Sequence, residues 1–284
     1  MITVLEAIKL STDYLDKKNV ESARTNAEIL LAEVLCCKRL ELYLSFDKPL
    51  KEDELSVYRE YIKKRGLRIP LQYIIGHVDF FGVKLIVNEN VLIPRPETEL
   101  LVEKIVNDFT KSESIRILDI GVGSGNISIA LSNNLKKCVV VGIDISERAL
   151  EVAKQNAKNN LVQNNIKFKK FDIKKDDITE LGKFDLIVSN PPYVSSSDFQ
   201  YLEPELKVYE PSEALTDNSD GLSFYKKIIA SSGMLLNKNG KIYFEIGKDQ
   251  HKVISKLMSE SGFININIIK DYLGIERIIC GELK

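Results

Sequence analysis

Asn190, Pro191, Pro192 and Tyr193 stand one serine beyond the apolar run Leu186, Ile187 and Val188. The run reads as a buried strand, and two prolines cannot prolong a strand because they donate no backbone hydrogen bond. The chain must therefore leave its sheet at Asn190, at the carboxyl end of a parallel strand, where open α/β sheets place ligands. The chemistry available there is orientation. A planar amide or amine nitrogen is a poor nucleophile because its lone pair is delocalised, so a catalyst has to aim it. The Asn190 side-chain oxygen and the Pro191 carbonyl are two acceptors for one NH₂ group, and Tyr193 can stack on or fence the planar substrate. The prolines fix these directions in advance. No neighbouring residue is a convincing general base, which suits an electrophile that is already activated.

A second constellation lies upstream. "DIGVGSGNISIAL" sets Asp119, Gly121, Val122, Gly123, Ser124 and Gly125 between a strand pattern and a helix pattern. Small residues let a backbone turn tightly against a ligand, and the following helix start offers unpaired N–H groups, as in a nucleotide cradle. Asn126 stands where the third glycine of the NAD fingerprint would fall, which leans away from a dinucleotide. Asp144 closes the next strand pattern, 19 positions beyond Gly125, where a carboxylate can accept from both hydroxyls of a ribose. Asp172 can accept from the exocyclic amine of an adenine, with Ile173 against the ring. Each residue also has a structural alternative: the glycines a plain turn, Asp144 a helix cap beside Ser146, Asp172 a solvated acid, the prolines an incidental loop. Cradle and amide clamp together suit S-adenosyl-L-methionine, whose sulfonium methyl is such an electrophile.

The elements that must position these groups fall into two regions. Residues 1–75 carry helical periodicity, with Ser22 placed to cap the second helix and the third running from the acidic "KEDEL" to the basic "KKR" before Gly66, the order its macrodipole favours. Residues 76–93 contain Gly82 and an Asn-Glu-Asn turn signal and read as a hairpin linking the two domains. Residues 94–284 alternate strand and helix patterns, which argues a mostly parallel sheet. Only "KDYLG" separates the last two strands, too little for a helical crossover, so these pair antiparallel. The 284 residues are 44% hydrophobic with a net charge of −1, which offers no overall pull toward a nucleic acid. Four cysteines without Cys-x-x-Cys spacing and two histidines argue against a metal site and fit reduced thiols. Neither a signal-peptide core nor a membrane span is visible, so the expected compartment is the cytoplasm, with no membrane partner.

Asp-x-Gly-x-Gly-x-Gly, Asp144 and "NPPY", in this order, resemble class I methyltransferases that act on planar nitrogens, among them DNA adenine and protein glutamine methyltransferases. "PLQYIIGHVDFFG", "VLIPRPETELLVE", "YEPSEAL" and "DGLSFYKKI" narrow this, and over the whole chain the sequence resembles the bacterial peptide chain release factor glutamine methyltransferases, the PrmC or HemK family. The resemblance implies a Rossmann-like seven-stranded sheet with an antiparallel terminal hairpin, preceded by a small helical domain for substrate recognition. It implies methyl transfer to the side-chain nitrogen of the glutamine in the Gly-Gly-Gln loop of class 1 release factors. By position, Gly121 through Gly125, Asp144, Asp172, Ile173 and Asn190 would contact the cofactor, and Asn190, Pro191, Pro192 and Tyr193 would hold the glutamine. Val122 departs from the threonine common in the family. The roles of Arg95, Glu97, Glu99 and Glu210 stay open between site and scaffold. A ribosomal-protein glutamine and, with less support from the charge balance, a nucleic-acid adenine remain alternative substrates.

Overall fold

Thr3 and Glu6 open the first helix by exchanging hydrogen bonds between side chain and backbone, which satisfies two N–H groups that a helix start leaves unpaired. In the computed structural model, which describes residues 2–110 and 114–284, this helix is α1 (Val4–Lys17), followed by α2 (Ala23–Val34), α3 (Glu52–Gly66) and α4 (Leu71–Ile75). Ser22 precedes α2 but does not cap it. Its φ of 50° is left-handed and its side chain makes no capping bond; Asn26 instead reaches back to the carbonyls of Glu21 and Ser22. α3 has the expected polarity, acidic at Glu52, Asp53 and Glu54 and basic at Lys63, Lys64 and Arg65. Gly66 is its last residue, and it is a glycine where a Cβ would stand 2.6 Å from the Tyr14 ring. These helices enclose their own core around Leu15, Leu30, Leu31, Leu42 and Tyr58.

This first unit runs up to Gly76 and takes in one later segment, Glu203–Tyr209. Glu205 accepts from both Arg65 and Arg68, and the Tyr209 hydroxyl donates to the Leu67 carbonyl at 2.7 Å. Arg65 is buried, and its remaining donors go to Asn26 and the Ile69 carbonyl, so the guanidinium is matched on every side that the helices cover.

The second unit comprises His77–Leu202 and Glu210–Lys284. Its first strands, β1 (His77–Phe80) and β2 (Val83–Ile86), form the expected hairpin, but the turn is Phe81-Gly82, both left-handed, and not the Asn-Glu-Asn stretch. The hairpin is part of this unit rather than a free linker. Phe80, Val83 and Leu85 enter its core, and the buried Asn156 pairs with both backbone groups of Ile86 while donating to the Ser124 carbonyl.

Seven strands follow: β3 (Ile115–Ile120), β4 (Cys138–Asp144), β5 (Ile166–Lys170), β6 (Phe184–Ser189), β7 (Leu236–Glu245), β8 (Phe263–Lys270) and β9 (Glu276–Leu283). They lie in the order β5-β4-β3-β6-β7-β9-β8, parallel through β7, with β9 antiparallel to both of its neighbours. The intervening helices are α5 (Pro96–Phe109), α6 (Asn126–Asn134), α7 (Glu147–Asn159), the short α8 (Ser196–Phe199) and α9 (Ser212–Leu215), α10 (Ser223–Leu235) and α11 (His251–Glu260). Along β3 the alternation of side chains sends Ile115 and Ile117 to one core and Leu118 and Ile120 to the other. A strand covered on both faces therefore reads as continuously apolar. From β3 the chain proceeds outward through β4 and β5, then restarts on the other side with β6. Ile120 lies opposite Ser189 across that switch, so the residues just beyond, Gly121 and Asn190, are brought side by side. Among the described residues no helix is long and apolar enough to cross a membrane.

Candidate active site

The loop after β3 folds as its glycine spacing requires. Gly121, Gly123 and Gly125 all have positive φ, of 80°, 54° and 85°. A side chain at Gly123 would meet nothing within 4 Å, and at Gly121 only the Asn190 carbonyl at 4.0 Å, so the missing Cβ atoms leave space open in front of the loop. Gly125 is different: a Cβ there would press on Ile129 at 3.0 Å and Ala153 at 3.2 Å, so it serves the packing of α6 against α7. The Val122 side chain is buried, and the absence of a Cβ at Gly142 makes room for it. A valine suits this position because its side chain faces the core.

A cleft of about 780 Å³, counting the space at its mouth, opens at the carboxyl ends of these strands, and every residue lining it belongs to the second unit. Gly121, Gly123 and Asp144 line it on one side; Asn190, Pro191 and Pro192 line it on the other. Ile173 lines it together with Phe171. Asp172, between them, is absent from the lining: its carboxylate accepts from the Lys174 backbone and pairs with Lys175 at 3.5 Å. Val122, Ser124, Gly125 and Tyr193 also lie outside the lining.

Asp144 holds the loop as well as facing the cleft. One carboxylate oxygen accepts from Gly123 N–H at 2.9 Å and the other from Ser146 N–H at 2.9 Å. Each oxygen retains a lone pair for a ligand hydroxyl. Burial pushes its pKa above the ordinary value, against those N–H groups, and the Glu213 carboxylate adds to the rise. Beneath the loop, Asp119 is fully buried; Ser128 donates to its Oδ2, while Oδ1 has no partner among the described residues. Burial raises this carboxyl to about 7. Asp119 is fully enclosed and does not line the cleft, so it supports the glycine loop from beneath rather than facing a ligand. The lining fits S-adenosylmethionine in its chemistry: Asp144 keeps acceptor lone pairs at the cleft, and Phe171 and Ile173 give it an apolar wall.

The Asn190–Tyr193 turn rests on a polar layer that the sequence did not disclose. Asn190 Nδ2 donates to Thr98 Oγ1 at 3.3 Å, Thr98 donates to Glu245 Oε2 at 2.6 Å, and the Tyr193 hydroxyl donates to Glu245 Oε1 at 3.4 Å. Gln250 ties the Tyr193 carbonyl at 3.0 Å. The two segments left open in sequence meet each other: Arg95 pairs with Glu210, which also accepts from Ile93 N–H at 3.2 Å. Glu99 serves the hairpin by accepting from Phe81 N–H at 2.9 Å. Pro211, Glu213 and Ala214, directly after Glu210, complete the cleft with Asn90, Val91 and Leu92. None of these had a legible local signal; only "YEP" and "IPRPETE" marked the neighbourhood.

The comparisons with known proteins agree with this architecture. A family model described as "PrmC N-terminal domain" matches residues 6–76, and one described as "Methyltransferase domain" matches residues 111–272. The chain is 41% identical over 279 residues to a release factor glutamine methyltransferase of Fusobacterium nucleatum, covering 98% of this chain and 78% of that protein. It is 37% identical to one of Geobacter sulfurreducens, covering 99% of this chain and 97% of the relative. Among solved structures, a methyltransferase from Pyrococcus furiosus superposes with a TM-score of 0.53 at 20% identity, over 71% of this chain and 89% of that one, a likeness of fold alone. With such identity sustained across nearly its full length, the chain belongs to the release factor glutamine methyltransferase family.

Proposed function

We propose that the protein transfers the methyl group of S-adenosylmethionine to the side-chain amide nitrogen of the glutamine in the Gly-Gly-Gln loop of class 1 release factors, in the cytoplasm. The observation that carries this reading is the juxtaposition of Gly121 and Asn190 across the β3/β6 switch, which sets a nucleoside cradle against an amide clamp in one cleft. Bound there, S-adenosylmethionine supplies a sulfonium methyl that needs no further activation. The chain's own residues provide geometry. Asn190 Oδ1 and the Pro191 carbonyl accept the two N–H bonds of the glutamine amide, turning its lone pair toward the methyl. The cofactor held there would give its methyl to this nitrogen and leave as the neutral thioether, and the surplus N–H proton would go to solvent. Tyr193 fences the amide, and Pro191 and Pro192 hold the acceptors still.

The helical unit serves recognition of the release factor rather than chemistry. It has its own core and none of its residues lines the cleft, so it is free to supply binding energy remote from the methyl. The reading is tested by incubating the protein with labelled S-adenosylmethionine and a release factor, wild type or with its loop glutamine replaced, and locating the methyl by mass spectrometry. Label on the wild-type glutamine alone supports it; label on another residue, on a ribosomal protein only, or on nucleic acid overturns it.

A further inference from the structure

The polar layer under the clamp carries more than packing. We propose that Glu245 is a positioning residue which, acting through Thr98, dictates which end of the Asn190 amide faces the substrate. The inference rests on the reading of the cleft as a site of methyl transfer to an amide nitrogen.

Glu245 is the last residue of β7 and is 1% exposed; Thr98, in the first turn of α5, is 0% exposed. A hydroxyl has one proton to give. Facing a carboxylate, which has none, Thr98 must donate to Glu245, and its oxygen then has only lone pairs left for Asn190. Asn190 answers with its NH₂ end. Its Oδ1 is thereby turned away from Thr98 and left free as an acceptor, the role the clamp requires. Were Asn190 reversed, its carbonyl would face a lone pair and its NH₂ would confront the N–H bonds of the substrate.

The device depends on charge. A protonated Glu245 can donate to Thr98, which then donates to Asn190 Oδ1 and holds the amide the wrong way round. Four elements surround the carboxyl: α5 brings Thr98 and Glu97, the turn after β6 brings Tyr193, β9 brings Arg277, and α10 brings Tyr225, whose hydroxyl donates to the Glu245 backbone carbonyl at 2.7 Å. Burial raises the carboxyl to about 7. Glu97 pushes the same way, while Thr98, Tyr193 and the Arg277 cation oppose it. Amide orientation therefore changes within the neutral range, and the carboxylate is the working form.

The test is single-turnover methyl transfer by the full-length chain from pH 6 to 9, with saturating S-adenosylmethionine and release factor, beside calorimetric cofactor affinity and the KM for release factor. The wild-type rate is expected to rise through about pH 7 as one group loses a proton. Glu245→Gln should lower the rate at pH 8.5 by about 10- to 100-fold, the scale of a misplaced reacting group. It should also flatten the profile, with cofactor affinity and KM unchanged. Thr98→Val should lower the rate similarly and Thr98→Ser restore it, and this pair decides the matter if Glu245→Gln fails to fold. A wild-type rate and inflection in Glu245→Gln, or equal losses in Thr98→Ser and Thr98→Val, would overturn the proposal. Failure of the wild-type protein to methylate any glutamine amide would instead overturn the functional reading on which it rests.

Discussion

Asp119 and Glu245 are carboxylates at the same end of the same sheet, 0% and 1% exposed, and burial raises both to about 7, yet they are built for different work. Asp119 has Ser128 on one oxygen and nothing on the other, and the nearby Asp144 carboxylate adds to its rise. Glu245 has a hydroxyl on each oxygen, Thr98 on one and Tyr193 on the other. A buried acceptor without a partner is costly, and the cost falls on the charged form, which favours a neutral carboxyl. An acceptor satisfied by protein hydroxyls needs no ligand, and what it provides is direction, because each donor it takes leaves only lone pairs for the next group along. The β3–β4 side of the cleft is thus an open cradle shaped by glycines, and the β6–β7 side is a hydrogen-bonded relay.

The largest expected effect breaks the relay at its tip. Asn190→Ala removes one of two acceptors and should slow single-turnover transfer by about 10²–10³-fold, the magnitude for loss of a preorganised polar contact to a reacting group. Cofactor binding should persist. A wild-type rate would reduce the Asn-Pro-Pro-Tyr stretch to a turn.

On the cradle side, Asp144→Ala removes the carboxylate that lines the cleft. It should weaken S-adenosylmethionine by about 1.5–3 kcal/mol, the worth of a hydrogen bond to a charged group. Transfer at saturating cofactor should change little. Calorimetry that finds wild-type affinity would leave Asp144 without a ligand role.

Asp119 and Glu245 also make stability depend on pH in one direction. Their folded values near 7 exceed the ordinary 3.8 and 4.5, so the folded state holds protons that the unfolded chain has released. Stability contributed by the neutral forms is present below about pH 4 and is lost as pH rises through 7. Denaturant midpoints without cofactor should show a smaller fall between pH 5 and pH 8 in Asp119→Asn and in Glu245→Gln, and the smallest in the double variant. A fall as steep as in wild type would mean that neither carboxyl is raised in the folded state. The smallest effect lies in the other unit. Tyr58→Phe removes a buried hydroxyl that donates to the Ala27 carbonyl at 3.1 Å, and should cost about 0.5–1.5 kcal/mol of stability while cofactor affinity is unmoved. A change in affinity would show that cleft and helical core are coupled.

The sequence by itself determined whatever is set by local rules. Strands covered on both faces announced themselves as apolar runs, and the five residues of "KDYLG" forced β8 and β9 to run antiparallel because no crossover fits in so short a link. Glycines at alternate positions announced a loop that needs positive φ, and two prolines announced where β6 ends. Short-range chemistry misled where a longer-range partner intervened. Ser22 had the right type for a cap and the wrong backbone angle, and the Asn-Glu-Asn turn was not the turn of the hairpin.

Only the tertiary structure decided which of the many carboxylates mattered, and for what. Glu97 and Glu99 drew notice beside Arg95, whereas Thr98 between them is the residue joined to Asn190, 92 positions away in sequence. Glu245 sits in a strand whose pattern signals only burial, and nothing nearby says that its partners come from α5 and from the turn after β6. The hairpin and the Glu203–Tyr209 segment were likewise assigned by contacts that no local pattern encodes. The physical reason is common to all of these. Periodicity and turn chemistry are properties of neighbours along the chain, while the direction of a hydrogen-bond relay depends on which distant donors and acceptors the sheet order brings within 3 Å or so of one another.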